Sequence, residues 1–377
     1  MFFFKSGQEK NKTRLILDVG SSRVNAVLTK KDQSGKIEIL RLMQSESIIL
    51  PEPNLKTLWR KMSGLVGGVV SEYAKSGFGA DEALVVFSSP WYFSEIRNIE
   101  KSFDHPTAVT KKDLDEILSV EENNFKKSSA SKFGLDESAA FFTGPEIVGA
   151  KLNGYRIKPP KENVLDKPAK TFSAELYLSS FFAPAVLDLK RLLSDHGASH
   201  IELKSSPEVI FRALSRAGLS DVFVVDVGGE ITDIIIIREG EIKKIASFGR
   251  GLNYVARRMG PIFNIGLEEI MAMLSNYVED KLDAVFRDSV SKAIKEAMTE
   301  WQNLFEEALE KQTTAESLPS KILVTGHGGG IDEFKKIFQK PSSVISSVPL
   351  TDEILKNADH LNKSHLSLIK IYLIYAQ

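Results

Sequence analysis

Two short stretches carry residue types suited to chemistry, and each sets one carboxylate against a glycine turn. The first runs Leu15-Ile16-Leu17-Asp18-Val19-Gly20-Ser21-Ser22 and continues through Arg23 into Val24-Asn25-Ala26-Val27-Leu28. The second runs Val222-Phe223-Val224-Val225-Asp226-Val227-Gly228-Gly229-Glu230 and continues through Ile231-Thr232-Asp233 into Ile234-Ile235-Ile236-Ile237. Asp18 matches Asp226, Gly20 matches Gly228, and Asn25 falls where Asp233 does. A glycine has no side chain to block a ligand, so backbone N–H groups there can point at phosphate oxygens while the aspartate faces a neutralising cation. Taken singly, either stretch is equally compatible with a plain hairpin. Their recurrence about two hundred residues apart argues for two related half-domains sharing one cleft, which a mononucleotide with a divalent cation would suit.

A third glycine turn, Thr325-Gly326-His327-Gly328-Gly329-Gly330, sits between the apolar run Ile322-Leu323-Val324 and Ile331-Asp332-Glu333-Phe334. Glycines there let a flat ring lie close to backbone, and the start of a helix adds positive potential. Coming after the two acid-glycine hairpins, it completes an ordered set.

The β-branched runs that deliver these turns read as strands, each hairpin followed by a third strand, Lys36 to Leu40 and Lys243 to Phe248. Leu58, Met62, Leu65, Val66, Val69, Val70 and Tyr73 recur at helical spacing and predict a crossover helix over Leu55 to Ser76, with a buried strand at Ala83 to Phe87. Between Trp91 and Ser180 the composition changes. Thr110 and Asp113 predict a capped helix through Asn124 or beyond, and strand segments at Glu146 to Leu152 and Thr171 to Leu178 flank a proline-rich link. Helices are expected at Ala183 to His196, Ser206 to Ala217, Leu252 to Met259, from near Leu267, and as one long core-facing stripe over Lys281 to Lys311. His365 to Tyr375 reads as a last helix.

The chain has 377 residues, enough for two or three domains, with 49 basic against 50 acidic residues and no cysteine. That balance offers no field for nucleic acid, and no basic stripe is interleaved with aromatics. Without cysteine there are no disulfides, thiolate metal sites or cysteine nucleophile. No run reaches the roughly twenty apolar residues of a spanning helix, and a signal peptide is not evident, so a cytoplasmic location is expected. Met1-Phe2-Phe3-Phe4 beside Lys5, Lys10 and Lys12 offers either a frayed terminus or a weak contact with an anionic membrane surface.

The order Asp-Val-Gly-Ser-Ser, Asp-Val-Gly-Gly with Thr232-Asp233, and Thr325-Gly326-x-Gly328-Gly329 resembles the two phosphate motifs and the adenosine motif of the actin-like ATPase superfamily. No glycine turn ends in Lys-Ser or Lys-Thr, so it is not a P-loop. The segment after the first half-sheet resembles the extra subdomain of the FtsA/PilM branch, and the chain as a whole most resembles the FtsA cell-division family. The resemblance implies an α/β, actin-like two-domain nucleotide-binding fold with ribonuclease H-like halves and an inserted α+β subdomain of the SHS2 type. It divides the chain into a tip (1–11), a first half-domain (12–90, resumed at 181–217), the insertion (91–180), and a second half-domain (218–377) that includes a helical subdomain (249–320).

By the same resemblance, ATP with Mg²⁺ is the cofactor. Asp18 and Asp226 would hold Mg²⁺ through water, and Gly20, Ser21, Ser22, Gly228, Gly229 and Thr232 would serve the phosphates. Gly326, Gly328 and Gly329 would pack on adenine and ribose, with Glu268 on the ribose. Four departures stand out: Met271 in place of a lysine, Ser206 in place of a water-positioning acid, Glu230 in place of a small residue, and His327 within the third glycine run. The implied role is a divisome adaptor that self-associates, meets partners such as the tubulin-like FtsZ, and hydrolyses ATP slowly at most. It would lie on the inner face of the cell membrane. An FtsA-like C-terminal anchor is not expected, which assigns tethering to the Met1–Phe4 tip or to a membrane partner. The alternatives are a PilM-like pilus or secretion adaptor that captures a peptide on the insertion, a small-molecule kinase, and a degenerate scaffold without nucleotide.

Overall fold

The computed structural model describes residues 13–31, 37–75, 80–130, 140–158, 163–312, 318–338, 344–345, 371–373 and 375–376. The Met1–Phe4 tip and most of the expected C-terminal helix lie outside these; residues 371–373 and 375–376 are helical.

The first acid-glycine stretch is a hairpin, β1 (Thr13–Val19) with β2 (Val24–Lys31), in which Asp18 pairs with Asn25. β3 (Ile37–Gln44) continues it antiparallel, and β4 (Glu82–Phe87) and β10 (His200–Ser205) add parallel, in the order β10-β4-β1-β2-β3. The second stretch repeats this plan. β11 (Val222–Val227) and β12 (Thr232–Arg238) pair with Asp226 opposite Asp233, and with β13 (Glu241–Phe248), β14 (Lys321–Thr325) and β15 (Val344–Ile345) they give β13-β12-β11-β14-β15. Each sheet therefore runs third, second, first, fourth, fifth strand. Both hairpins end their strands at one shared edge of the molecule, which places the two turns together.

Both faces of each sheet are covered, which is why the strands read as continuous apolar runs. α1 (Leu55–Lys75) and α3 (Ala183–Asp195) pack on the outer face of the first sheet through Trp59, Met62, Val66, Val186 and Leu189. The inner faces of both sheets meet around α4 (Ser206–Arg216) and the helical residues Ile371 and Leu373. The outer face of the second sheet carries α5 (Leu252–Phe263), α6 (Leu267–Val278), α7 (Ala284–Ala297) and α8 (Thr299–Gln312).

The long helix expected over 281–311 is two. Met298 keeps the hydrogen-bond ladder, accepting from Gln302 at 2.8 Å, but the Thr299 hydroxyl donates back to the Glu296 carbonyl at 3.0 Å, a bond that bends helices. Trp301 lies against Phe248 of β13, while Val285 at the other end is 80 % exposed; the fully buried positions of the stripe begin at Val290, with Leu282 partly buried before it.

The insertion is a third sheet, β5 (Tyr92–Ala108), β9 (Pro168–Phe182), β7 (Glu146–Leu152) and β8 (Tyr155–Arg156), with β6 (Ala140–Phe142) also on β9. α2 (Lys111–Ala130) covers one face, where Phe125 stacks on Phe93. Its start is a reciprocal cap: Asp113 N–H donates to Thr110 Oγ1 at 3.2 Å and Thr110 N–H to Asp113 Oδ2 at 3.1 Å. The strand β5 has no counterpart among the expectations.

Candidate functional site

The matched turns do face one another. Asp18, Gly20, Ser21, Ser22, Asp226, Gly228, Gly229 and Gly326 line one cavity, together with Ser88, Ser89, Asp233 and His327. Its volume is about 40 Å³, room for a few waters rather than a triphosphate. The chain itself makes the closure. Glu230 N–H donates to Ser21 Oγ at 2.9 Å, and a Cβ at Gly229 would lie 2.4 Å from Ser22 Cβ. Gly326 has φ +82°, and a Cβ there would meet Asp226 Oδ1 at 2.2 Å. These glycines are therefore required by close approach within the protein.

Each carboxylate is satisfied locally. Asp18 accepts from Asn25 Nδ2 at 2.9 Å and Ser88 Oγ at 3.3 Å. Asp226 accepts from Ser206 Oγ at 3.0 Å, which gives the serine a role beside the acid. Asp233 accepts from Ser89 at 2.8 Å, Tyr92 at 2.9 Å and Ser247 at 2.6 Å, tying the second hairpin to β4 and the insertion. Burial pushes Asp226 up to about 7, and the Asp233 and Asp18 charges add to it. Burial raises Asp18 and Asp233 too, against the hydrogen bonds they accept. Buried Tyr372, from the C-terminal helical residues, lies beside Asp18. Among the described residues no group of three or more His, Asp or Glu is placed to hold a metal ion. At about 40 Å³ the closed cavity is smaller than Mg²⁺ with ATP, with Asp18 and Asp226 on its lining.

Other expected site residues stand apart from the cavity. Thr232 is buried, donating to the Arg250 carbonyl at 2.7 Å and accepting from Trp301 Nε1 at 3.0 Å. Glu268 is exposed in the first turn of α6. Gly328 and Gly329 pack on Val227 and the Val324 carbonyl. A neighbouring space of about 80 Å³, where adenosine was expected, is lined by Met271, Ser275, Glu279, His327 and Ile331. Glu230, expected to add negative charge beside the phosphates, instead turns away and ion-pairs with Arg257 at 2.5 Å. Arg257, Asn253 and Tyr92 were missed, since their partners lie on other elements and no spacing marks them.

A roomier groove, about 470 Å³, lies where the insertion, α4 and the turn between β12 and β13 meet. Ile147, Val148 and Ile157 supply apolar walls; of the lining cations Arg156 pairs with Glu241 and Arg212 with Glu146 and Glu208, while Lys158 is exposed. A second hollow of about 310 Å³ continues it past Gly149 and Glu241 across the open face of the third sheet. Glu241 anchors the seam: it accepts from Arg156 Nε at 2.7 Å and pairs with Lys243, which also reaches Glu175 at 2.9 Å. Burial alone would raise Glu241, but Lys243 and Arg156 hold it below the usual carboxylate range. Beside the groove β7 has β9 on one edge, while β8 covers only Lys151 and Leu152 on the other. From Glu146 to Gly149 that edge has no partner strand among the described residues.

No family model and no curated relative matches the chain. Among solved structures, PilM in a PilM–PilN type IV pilus biogenesis complex superposes with a TM-score of 0.63 at 12% identity, covering 96% of each chain. The fold is actin-like. Weaker likenesses within the actin-like fold are EutJ from Carboxydothermus hydrogenoformans (TM-score 0.45, 11% identity, covering 96% of this chain and 89% of that one) and ADP-bound MreB5 of Spiroplasma citri (0.43, 13%, covering 97% and 96%). Within this actin-like chain no described helix is long and apolar enough to cross a membrane.

Proposed function

We propose that the chain is an actin-like assembly adaptor, of the PilM rather than the enzymatic kind, that captures an extended segment of a membrane-tethered partner in the groove beside β7. The observation that carries this is the contrast in space: the seam groove is about 470 Å³, and the cleft between the acid-glycine turns about 40 Å³. An open strand edge supplies main-chain hydrogen bonds, apolar pockets select alternate side chains, and the exposed Lys158 favours an acidic residue in the segment. The whole-chain likeness to PilM, solved in complex with PilN, supports the same reading. The role needs no nucleotide turnover.

A peptide array tests it. Cytoplasmic segments of the host's single-span membrane proteins, together with the C-terminal tails of its tubulin-like division proteins, are probed with the wild-type chain and with Val148→Arg. Membrane-protein segments bound by the wild type and lost with Val148→Arg are expected. Binding to the tubulin-like tails alone would favour the FtsA-like division role, and signals unchanged in Val148→Arg would move the contact off the groove.

A further inference from the structure

Glu230 stands at a turn where the resemblance leads one to expect a small residue, and its surroundings explain the substitution. Its N–H donates to Ser21 Oγ of the first hairpin at 2.9 Å. Its carboxylate accepts from Asn253 Nδ2 at 2.7 Å and from Arg257 at 2.5 Å, both on α5. Those two side chains also donate to the segment after β3, Arg257 to the Leu50 carbonyl at 2.8 Å and Asn253 to the Ile48 carbonyl at 3.2 Å. Ser22 Oγ closes the ring with a bond to Asn253 Oδ1 at 3.3 Å. The first N–H groups of α5, which could otherwise receive an anion, donate to the Gly228 and Gly229 carbonyls at 2.9 and 2.8 Å. Both turns, the segment after β3 and the start of α5 thus converge on one side chain, 7% exposed.

We infer that Glu230, with Arg257 and Asn253, is a clasp that holds the two halves together through the chain's own bonds, beside the turns that a nucleotide phosphate would otherwise bridge. A bridging anion must satisfy donors from both halves. Here the first N–H donors of α5 already have acceptors, and the Glu230 charge is matched by Arg257. The closed arrangement is then the resting state of the protein, set by sequence and not by nucleotide supply. This inference stands apart from the partner role, because it concerns the turns and not the groove.

Hydrogen exchange on the full chain tests it, with Mg-ATP as the probe ligand. In the wild type the amides of 20–22 and 228–230 are expected to be protected, with rates unmoved by Mg-ATP. Glu230→Gln keeps the shape and removes the charge, and should speed exchange at both turns by roughly tenfold while leaving β4 unchanged. Should that variant fold poorly, Ser21→Ala removes one acceptor only and should speed the Glu230 amide by a few-fold. Slower exchange at the turns on adding Mg-ATP to the wild type would overturn the inference. So would wild-type rates in the folded variants.

Discussion

Gly229 lies so close to Ser22 that a Cβ on the glycine would sit 2.4 Å from the serine Cβ, though the two residues belong to different sheets. The contact makes the glycine a spacer between the halves. Gly229→Ala should therefore force the turns apart and destabilise the chain by about 1–3 kcal/mol, the usual range for overpacking a tight site. Urea unfolding measures it; a variant within error of the wild type would mean that the turns separate freely.

Removing Glu230 leaves Arg257 partly buried without its carboxylate, at 20% side-chain exposure. Loss of one partner of a buried pair costs about 3–5 kcal/mol, and the partial exposure of Arg257 places Glu230→Ala near the lower end. Arg257→Met should cost a similar amount, and the double variant less than the sum of the two. Additive losses in a double-mutant cycle would show that the two side chains do not act as a unit.

Stability should fall as pH rises from about 4 to 8. Asp226 titrates near 7 in the folded chain against 3.8 as its ordinary value, so folding favours the protonated form. Its favourable contribution is complete below the unfolded value and is lost as pH climbs through 7; Asp18 and Asp233 are shifted in the same direction. The melting temperature is expected to be higher at pH 5.5 than at pH 8, with a shallower slope in Asp226→Asn. A melting temperature that rises over this range, or an equal slope in the variant, would contradict the assignment.

Thr110→Ala should destabilise the insertion by about 1 kcal/mol, the ordinary worth of an N-cap. The Thr110 and Asp113 side chains bond each other's backbone N–H at the start of α2, and Asp113, held down to about 2 first by Lys101 and then by Thr110, stays charged at neutral pH. Faster amide exchange in the first turn of α2, with the first two sheets unchanged, is the signature to look for.

Much of this was legible in the sequence because it is local. The turns at Asp18 and Asp226 announce themselves by a repeated order of residues, α1 by its spacing and α2 by its cap. β5 was not, because polar residues such as Asn98, Glu100 and Ser102 interrupt its apolar ones and leave no sustained apolar run. The break at Met298 was hidden for a similar reason: it interrupts the helix for one residue, within an unbroken apolar stripe. The clasp could not be read at all, since Glu230 meets Ser21 across 209 residues and Arg257 across 27. Glu268 and Thr232 occupy the expected positions in order but face solvent and core, because order does not fix the direction of a side chain.

The central claim is that the chain works through the seam groove with its halves already closed. Fluorescence anisotropy of the tightest array peptide against wild type, Val148→Arg and Lys158→Glu, each with and without Mg-ATP, tests it most directly. Bulk placed in the groove and reversal of an exposed lining charge should each raise Kd about tenfold or more, whereas Leu187→Ser, exposed on α3 and outside the lining, and Mg-ATP should leave it unchanged. Equal Kd values for the wild type and both groove variants, or an affinity that appears only with Mg-ATP, would contradict it.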